Sequence, residues 1–211
     1  MNTLILKNLK NISINFFFLL YLISFLYSNE KFLLSDSLDW KQIFNVRNIK
    51  ISTVDLDSSS YCKAIKSYNF SPEEVKTILD DKFNYINIFE RINYVKMLSE
   101  NTVHIKLSLP FPFSGRDYIV NYNYIKTKNF DYYIYKATKE FNLRKEKGYV
   151  RLINAYGIWK IEPDGYRKTK LTHIWNGELR GNFPKMALNF AWIAQGTELL
   201  ESIEKALELR N

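Results

Sequence analysis

One cysteine and two histidines are spread through 211 residues, together with only seven glycines. The single Cys62 excludes an intrachain disulfide and any cysteine-based zinc site. Within "YCKAIKSY" it reads as a small, partly buried apolar residue, and nothing places a basic partner beside it. No Ser/His/Asp order appears, nor a metal-ligand cluster, nor a carboxylate spaced to orient either histidine. No glycine-rich phosphate loop, internal repeat or low-complexity segment is present either. Dense positive charge is missing as well. The net charge is +8, but the basic residues are dispersed. The densest run, "LRKEKG" at Leu143 to Gly148, already contains Glu146. A nucleic-acid groove clusters lysine and arginine among aromatics, so this run reads as a solvated loop and nucleic acid is not expected as a partner.

What the chain does have is apolar and aromatic. Hydrophobic residues make up 46%, and 15 Tyr and 15 Phe far outnumber the glycines. Aromatics suit a pleated, half-buried surface, so a strand-rich fold would favour them. A bias toward Lys, Asn, Ile, Tyr and Phe would produce the same counts, and composition alone does not separate the two causes. The length fits one domain with a substantial core.

The first residues read as an address. Lys7 and Lys10 precede an apolar run from Phe16 to Tyr27, broken only by Ser24, and no acid appears before Glu30. That run is about a dozen residues, short of the roughly 20 that span a bilayer. Residues 1–28 are therefore expected to be a signal peptide, with a retained anchor as the alternative. Export to a periplasm or beyond follows, with cleavage after Ser28. No cysteine follows the run, which excludes a lipoprotein anchor. Losing two lysines lowers the net charge from +8 to +6, and residues 29–211 form one domain.

Along that domain, "SLDWKQIF" suggests a short opening helix capped by Asp36 or Ser37. "IKISTVDL" and "YCKAIKSYNF" read as two strands across a polar turn. "SPEEVKTILDD" is a helix start: Ser71 at the N-cap, Pro72 at N1, and Glu74 at N3 completing a capping box. Val75, Ile78 and Leu79 form its apolar face. Strands follow in "INYVKML", "TVHIKLSL", "RDYIVNYNYI", "DYYIYKAT", "YVRLINAYGIWKIE" and "TKLTHIWNGEL", spaced as a meandering antiparallel sheet. "PKMALNFAWIAQGTELLESIEKALELR" closes the chain as its longest helix, with Gly181 as an upstream hinge and Pro184 at the first turn. Met186, Phe190, Ile193, Leu200, Ile203 and Leu207 form one stripe on it. A single sheet must bury its apolar face, and this helix is the only element long enough to cover it.

From about Asp39 to Leu207 the sequence resembles START domains, the lipid-transfer-type members of the helix-grip (Bet v 1-like) superfamily. The stretches that carry the resemblance are "DW" at Asp39–Trp40, "SPEEV", "LPFPFSGRDYIV", "KGYVRL", "GIWKIEP", "TKLTHIW" and the approach "GNFPK" to the final helix. Two departures mark a divergent branch: Gly115 where the family usually has an acid, and "NYINIFERI" where it commonly has proline and tryptophan. The resemblance implies an α+β helix-grip fold, a curved antiparallel sheet wrapped around the C-terminal helix with an internal cavity. It implies one hydrophobic ligand, a lipid or sterol, carried or sensed by a monomer that meets membrane surfaces transiently. The final helix and adjacent loops would be its lid, and no cofactor or catalysis is implied. The cholesterol carriers of the family have a cavity arginine that by register falls near Tyr122, so that charge is missing here. Cyclase- or aromatase-like enzymes share the superfamily, and a protein-interaction module is a third reading.

The candidate site residues follow from alternation. In "TVHIKLSL", Val103, Ile105, Leu107 and Leu109 share a face, which sends His104 outward with Lys106, toward solvent. In "KLTHIWN", His173 falls on the apolar face with Leu171 and Trp175. It is either a core histidine bonded to a backbone carbonyl, a polar contact for a ligand, or an acid/base group. Tyr118, Val120, Tyr122 and Tyr124 alternate along one strand, either as ordinary sheet aromatics or as phenols facing a cavity. The expected ligand-contacting set is Tyr118, Tyr122, Trp159, His173, Trp175, Phe190 and Ile193. Arg116 and Asp117 are expected to fix the turn through charge-assisted hydrogen bonds rather than to touch a ligand.

Overall fold

Chain-neighbour strands zip together where β-branched and aromatic residues alternate with polar ones, and the first hairpin shows the rule. Strand β1 (Lys41–Val46) pairs antiparallel with β2 (Ile49–Leu56) across Arg47 and Asn48. Both turn residues have positive φ, 50° and 63°, which is the two-residue hairpin geometry that matches strand twist. The opening helix expected in "SLDWKQIF" is therefore a strand. Local propensity lost to a tight turn and to the ladder offered by β2. The computed structural model describes residues 38–56, 59–110, 113–176 and 185–210, with side chains from 187 in the last segment. The chain divides into Met1–Asp39 and Trp40–Asn211, and every element below belongs to the second unit. The expected signal peptide, the caps Asp36 and Ser37, the hinge Gly181, Pro184 and the Met186 side chain lie outside the described residues.

Strand β3 (Ser59–Tyr68) leads into helix α1 (Pro72–Asp80), which begins as its sequence dictates. The Ser71 side chain accepts from the Glu74 amide, Glu74 accepts from the Ser71 amide at 2.7 Å, and Pro72 occupies the first turn. Val75, Ile78 and Leu79 are buried. A 3-10 turn (Lys82–Asn84) and a short helix α2 (Tyr85–Ile88) lead to β4 (Ile92–Met97) and β5 (Thr102–Leu107). Next come β6 (Gly115–Lys126), β7 (Asp131–Ala137), β8 (Tyr149–Arg151), β9 (Tyr156–Pro163) and β10 (Thr169–Asn176). Helix α3 (Lys185–Arg210) ends the fold.

Among the described residues the strands form one sheet in the order β1-β2-β3-β10-β9-β7-β6-β5-β4, with β8 beside β6. Every pairing is antiparallel except β6 with β8. "YVRLINAYGIWKIE", read as one strand, is thus two: β8 pairs parallel with the start of β6, and β9 crosses to β7 and β10.

The core lies between the sheet's inner face and the helices. Ile51, Ala64, Leu171 and Trp175 on the sheet meet Trp192, Leu200, Ile203 and Leu207 of α3. Gly196 permits this approach. A Cβ there would sit 3.0 Å from Ile51 Cδ1 and 3.2 Å from Trp175 Cη2. The C-terminal half of the expected stripe is correct, with Leu200, Ile203 and Leu207 all buried. Toward the N-terminus Trp192 takes the buried position, Ile193 is half-buried, and Phe190 is 77% exposed. Cys62 is fully buried, and burial pushes its thiol pKa well up.

Candidate functional site

Strand alternation puts Tyr118 and Tyr122 of β6 on the inner face, and the register carries that face across the sheet. Tyr122 lies opposite Tyr135 of β7, and Trp159 of β9 lies opposite His173 of β10. Helix α3 does not fill the space over these residues. Between them lies a cavity of about 370 Å³, lined by all five side chains, by Tyr85 and Phe89, and by Ala187, Phe190, Ala191 and Ala194 of α3. The size falls within the range of small-molecule sites, and the wall is apolar with a few polar atoms, as such sites are. Small residues on the facing helix leave the room. A second pocket of about 80 Å³, lined by Arg116, Trp175, Trp192 and Gln195, shares Tyr118, Tyr135 and Gln195 with the first.

His173 is the chemical centre of the wall. Its ring stacks on Trp159 at 3.6 Å and 7°, and on Trp175 at 4.6 Å and 18°. Its Nε2 lies 3.0 Å from the Tyr135 hydroxyl, while its Nδ1 is buried with no hydrogen-bond partner among the described residues. The partner is thus a phenol, not the backbone carbonyl that one reading of the sequence expected. Tyr135 reaches it because its ring lies over Gly157, where a Cβ would fall 2.2 Å from the Tyr135 ring. Burial holds the imidazole pKa well below its ordinary value, so the ring is neutral at physiological pH.

The remaining polar atoms of the wall are also uncharged or paired. Burial pushes Tyr118 up to about 12 and lifts Tyr85, Tyr122 and Tyr135 well above the ordinary phenol value. Arg91 and Glu198 line the cavity as an ion pair, Nε to Oε2 at 2.6 Å. Such a chamber suits a body without net charge. No group of three or more His, Cys, Asp or Glu able to hold a metal occurs among the described residues.

Of the expected contact residues, Tyr118, Tyr122, Trp159, His173 and Phe190 line the main cavity. Trp175 backs His173 and faces the smaller pocket, and Ile193 packs against the core rather than lining either space. Tyr124, at the end of the phenol row, is 39% exposed and bonds Asp131 at 2.8 Å. Tyr135, Tyr85 and the Arg91–Glu198 pair were missed. Alternation in "DYYIYKAT" points to Tyr135 once the register with β6 is known, but the register itself is not written in the strand.

Arg116 and Asp117 do not act as a pair. Adjacent strand residues point to opposite faces: Arg116 faces inward and donates to the Ser114 carbonyl at 2.6 Å, which ties the bend. Asp117 faces outward and receives a two-pronged contact from Arg151, at 2.8 Å from Nε and 2.6 Å from Nη2. It also lies 3.1 Å from His104 Nε2. His104 takes the outer face as expected, but it is 6% exposed rather than solvated, because Asp117, Arg151 and the Tyr94 ring cover it.

Residues 27–193 match the START domain family model. The chain belongs to the START domain family. The STAR-related lipid transfer protein of Xanthomonas axonopodis superposes with a TM-score of 0.70 at 18% identity, covering 80% of this chain and 98% of its own. Human StAR-related lipid transfer protein 5 gives 0.71 at 16% identity, over 86% and 93% of the two chains. The Zhui aromatase/cyclase from Streptomyces gives 0.52 at 12% identity over 71% of this chain and 94% of its own. An uncharacterized protein of Pseudomonas aeruginosa is 22% identical over 179 residues, spanning 82% of this chain and 88% of the relative. The structural likenesses establish the helix-grip fold, and the START model establishes the family.

Proposed function

We propose that this START domain binds one hydrophobic molecule, a lipid or sterol, in the cavity between sheet and C-terminal helix, and that it transfers or senses that molecule without catalysis. The observation that carries the reading is an apolar chamber of about 370 Å³ whose wall phenols and imidazole are all neutral. Burial of ligand surface drives loading at roughly 25 cal/mol per Å², before the costs of association. Phe190 and Phe113, exposed at 77% and 37%, stand in the wall where a ligand would enter from a bilayer. On this reading α3 and its neighbours act as the lid. The protein works as an exported monomer, and its +6 charge after loss of residues 1–28 favours contact with anionic lipid. Purified chain incubated with mixed liposomes, re-isolated and extracted for mass spectrometry should carry lipid. A chain that emerges empty from both its host and the liposomes contradicts the proposal.

A second reading has one observation in its favour, the Tyr135–His173 hydrogen bond, which on a cyclase-like member would be an acid/base pair. Loss of a turnover in His173→Ala with lipid uptake intact would support it. An interaction module has no need of an unfilled chamber.

A further inference from the structure

Tyr135 and His173 hold two hydrogens for one bond. A neutral imidazole carries a single N–H, and the phenol carries a single O–H. The one contact between them, 3.0 Å from the hydroxyl to Nε2, consumes one of these. If Tyr135 donates, the imidazole hydrogen sits on Nδ1, which is buried and has no partner among the described residues. If Nε2 donates, the phenol hydrogen is the one left over. Either tautomer leaves one donor unspent. The arrangement in which Nε2 donates avoids an unpaired hydrogen on the sealed Nδ1 and puts the spare one on the Tyr135 hydroxyl, whose side chain lines the cavity. His173 is 3% exposed, so bulk water does not meet the demand.

The adjoining pocket has the same polarity. Trp175 Nε1 and Trp192 Nε1 are donors only, and both are buried without an acceptor among the described residues. A surplus of donors selects for an acceptor and against a second donor, because two donors facing each other leave both unpaired.

Resting on the cavity reading above, we propose that the Tyr135–His173 pair is a polar anchor that gives its spare hydrogen to an oxygen acceptor on an otherwise apolar, uncharged ligand. A lipid bearing a carbonyl, ester or hydroxyl oxygen fits this requirement. A lipid whose buried end is an ammonium does not.

The test uses two uncharged probes of equal length, 2-tridecanone and tridecane, binding to the purified chain. The ketone is expected to bind about tenfold more tightly, the worth of roughly one buried hydrogen bond. Tyr135→Phe and His173→Phe each still leave one donor, so each should keep the preference. The double substitution removes both hydrogens and should bring the ratio of ketone to tridecane affinity down to about one, whatever it does to the two affinities together. Equal binding of the two probes by the unaltered chain overturns the anchor while leaving the cavity reading intact, and so does a preference that survives the double substitution. Failure of both probes to bind overturns both readings, and failure of the ketone alone overturns the anchor. Should the double variant not fold, the unaltered chain decides by ¹⁵N imidazole spectra. Its only histidines are His104 and His173. The ketone should shift His173 and leave His104 in place, and an unmoved His173 with ketone bound contradicts the anchor.

Discussion

Asp117 joins three strands with one carboxylate. Arg151 of β8 and His104 of β5 converge on it from either side of β6. The burial of Asp117 acts to raise its pKa, yet the hydrogen bonds from Arg151 and His104 outweigh this and leave it depressed. Breaking a buried ion pair on one side costs about 3–5 kcal/mol, and Asp117→Asn should lose that order of stability in urea unfolding. The histidines set the response to acid. Burial lowers both folded-state pKa values, only partly opposed at His104 by Asp117. The unfolded chain therefore takes up protons first, and stability should fall as pH drops below about 6.5, by up to about 1.4 kcal/mol per pH unit for each histidine. His173→Phe should flatten that fall between about pH 6.5 and 5 in the stability–pH curve. At Gly157 an added methyl would strike the Tyr135 ring, so Gly157→Ala should cost about 1–3 kcal/mol by overpacking, seen in the same unfolding assay. Residue-level reading failed where a second strand decides the environment. His104 alternates outward in its own sequence, but Asp117 and Tyr94, which bury it, come from other strands.

Single elements divide into those their own residues specify and those they do not. Helix α1 is specified locally, and Ser71→Ala should cost about 1 kcal/mol of stability by removing the cap. The start of β1 is not: a helix-like stretch became a strand because the left-handed turn at Arg47 and Asn48 returned it to β2. Helix α3 has two regions under one period. Leu200 and Ile203 are fully buried, whereas Phe190 at the cavity wall is mostly exposed. Leu200→Ala should therefore cost about 2–5 kcal/mol, measured by denaturant unfolding. Phe190→Ala should leave the unfolding midpoint nearly unchanged while slowing lipid uptake from liposomes. The stripe was legible because apolar spacing follows the helix period. The exposure of Phe190 was not, because a cavity removes the partner that a filled core would supply.

At the scale of the molecule, element order pointed to a sheet covered by the final helix, and nearly every strand lies where alternation put it. The parallel seating of β8 against β6 and the meeting of β3 with β10 join segments far apart in sequence. The β9–β10 and β7–β9 pairings bring His173 to Trp159 and Tyr135, so the site became visible only once the sheet was assembled. The central claim is that this assembly leaves a chamber for one hydrophobic molecule. Ala191, which lines the chamber from α3, offers a way to fill it. Native mass spectrometry after incubation with liposomes should show the unaltered chain with one lipid bound, and Ala191→Trp, folded by circular dichroism, with none. An empty unaltered chain, or equal loading of the two proteins, would contradict the account.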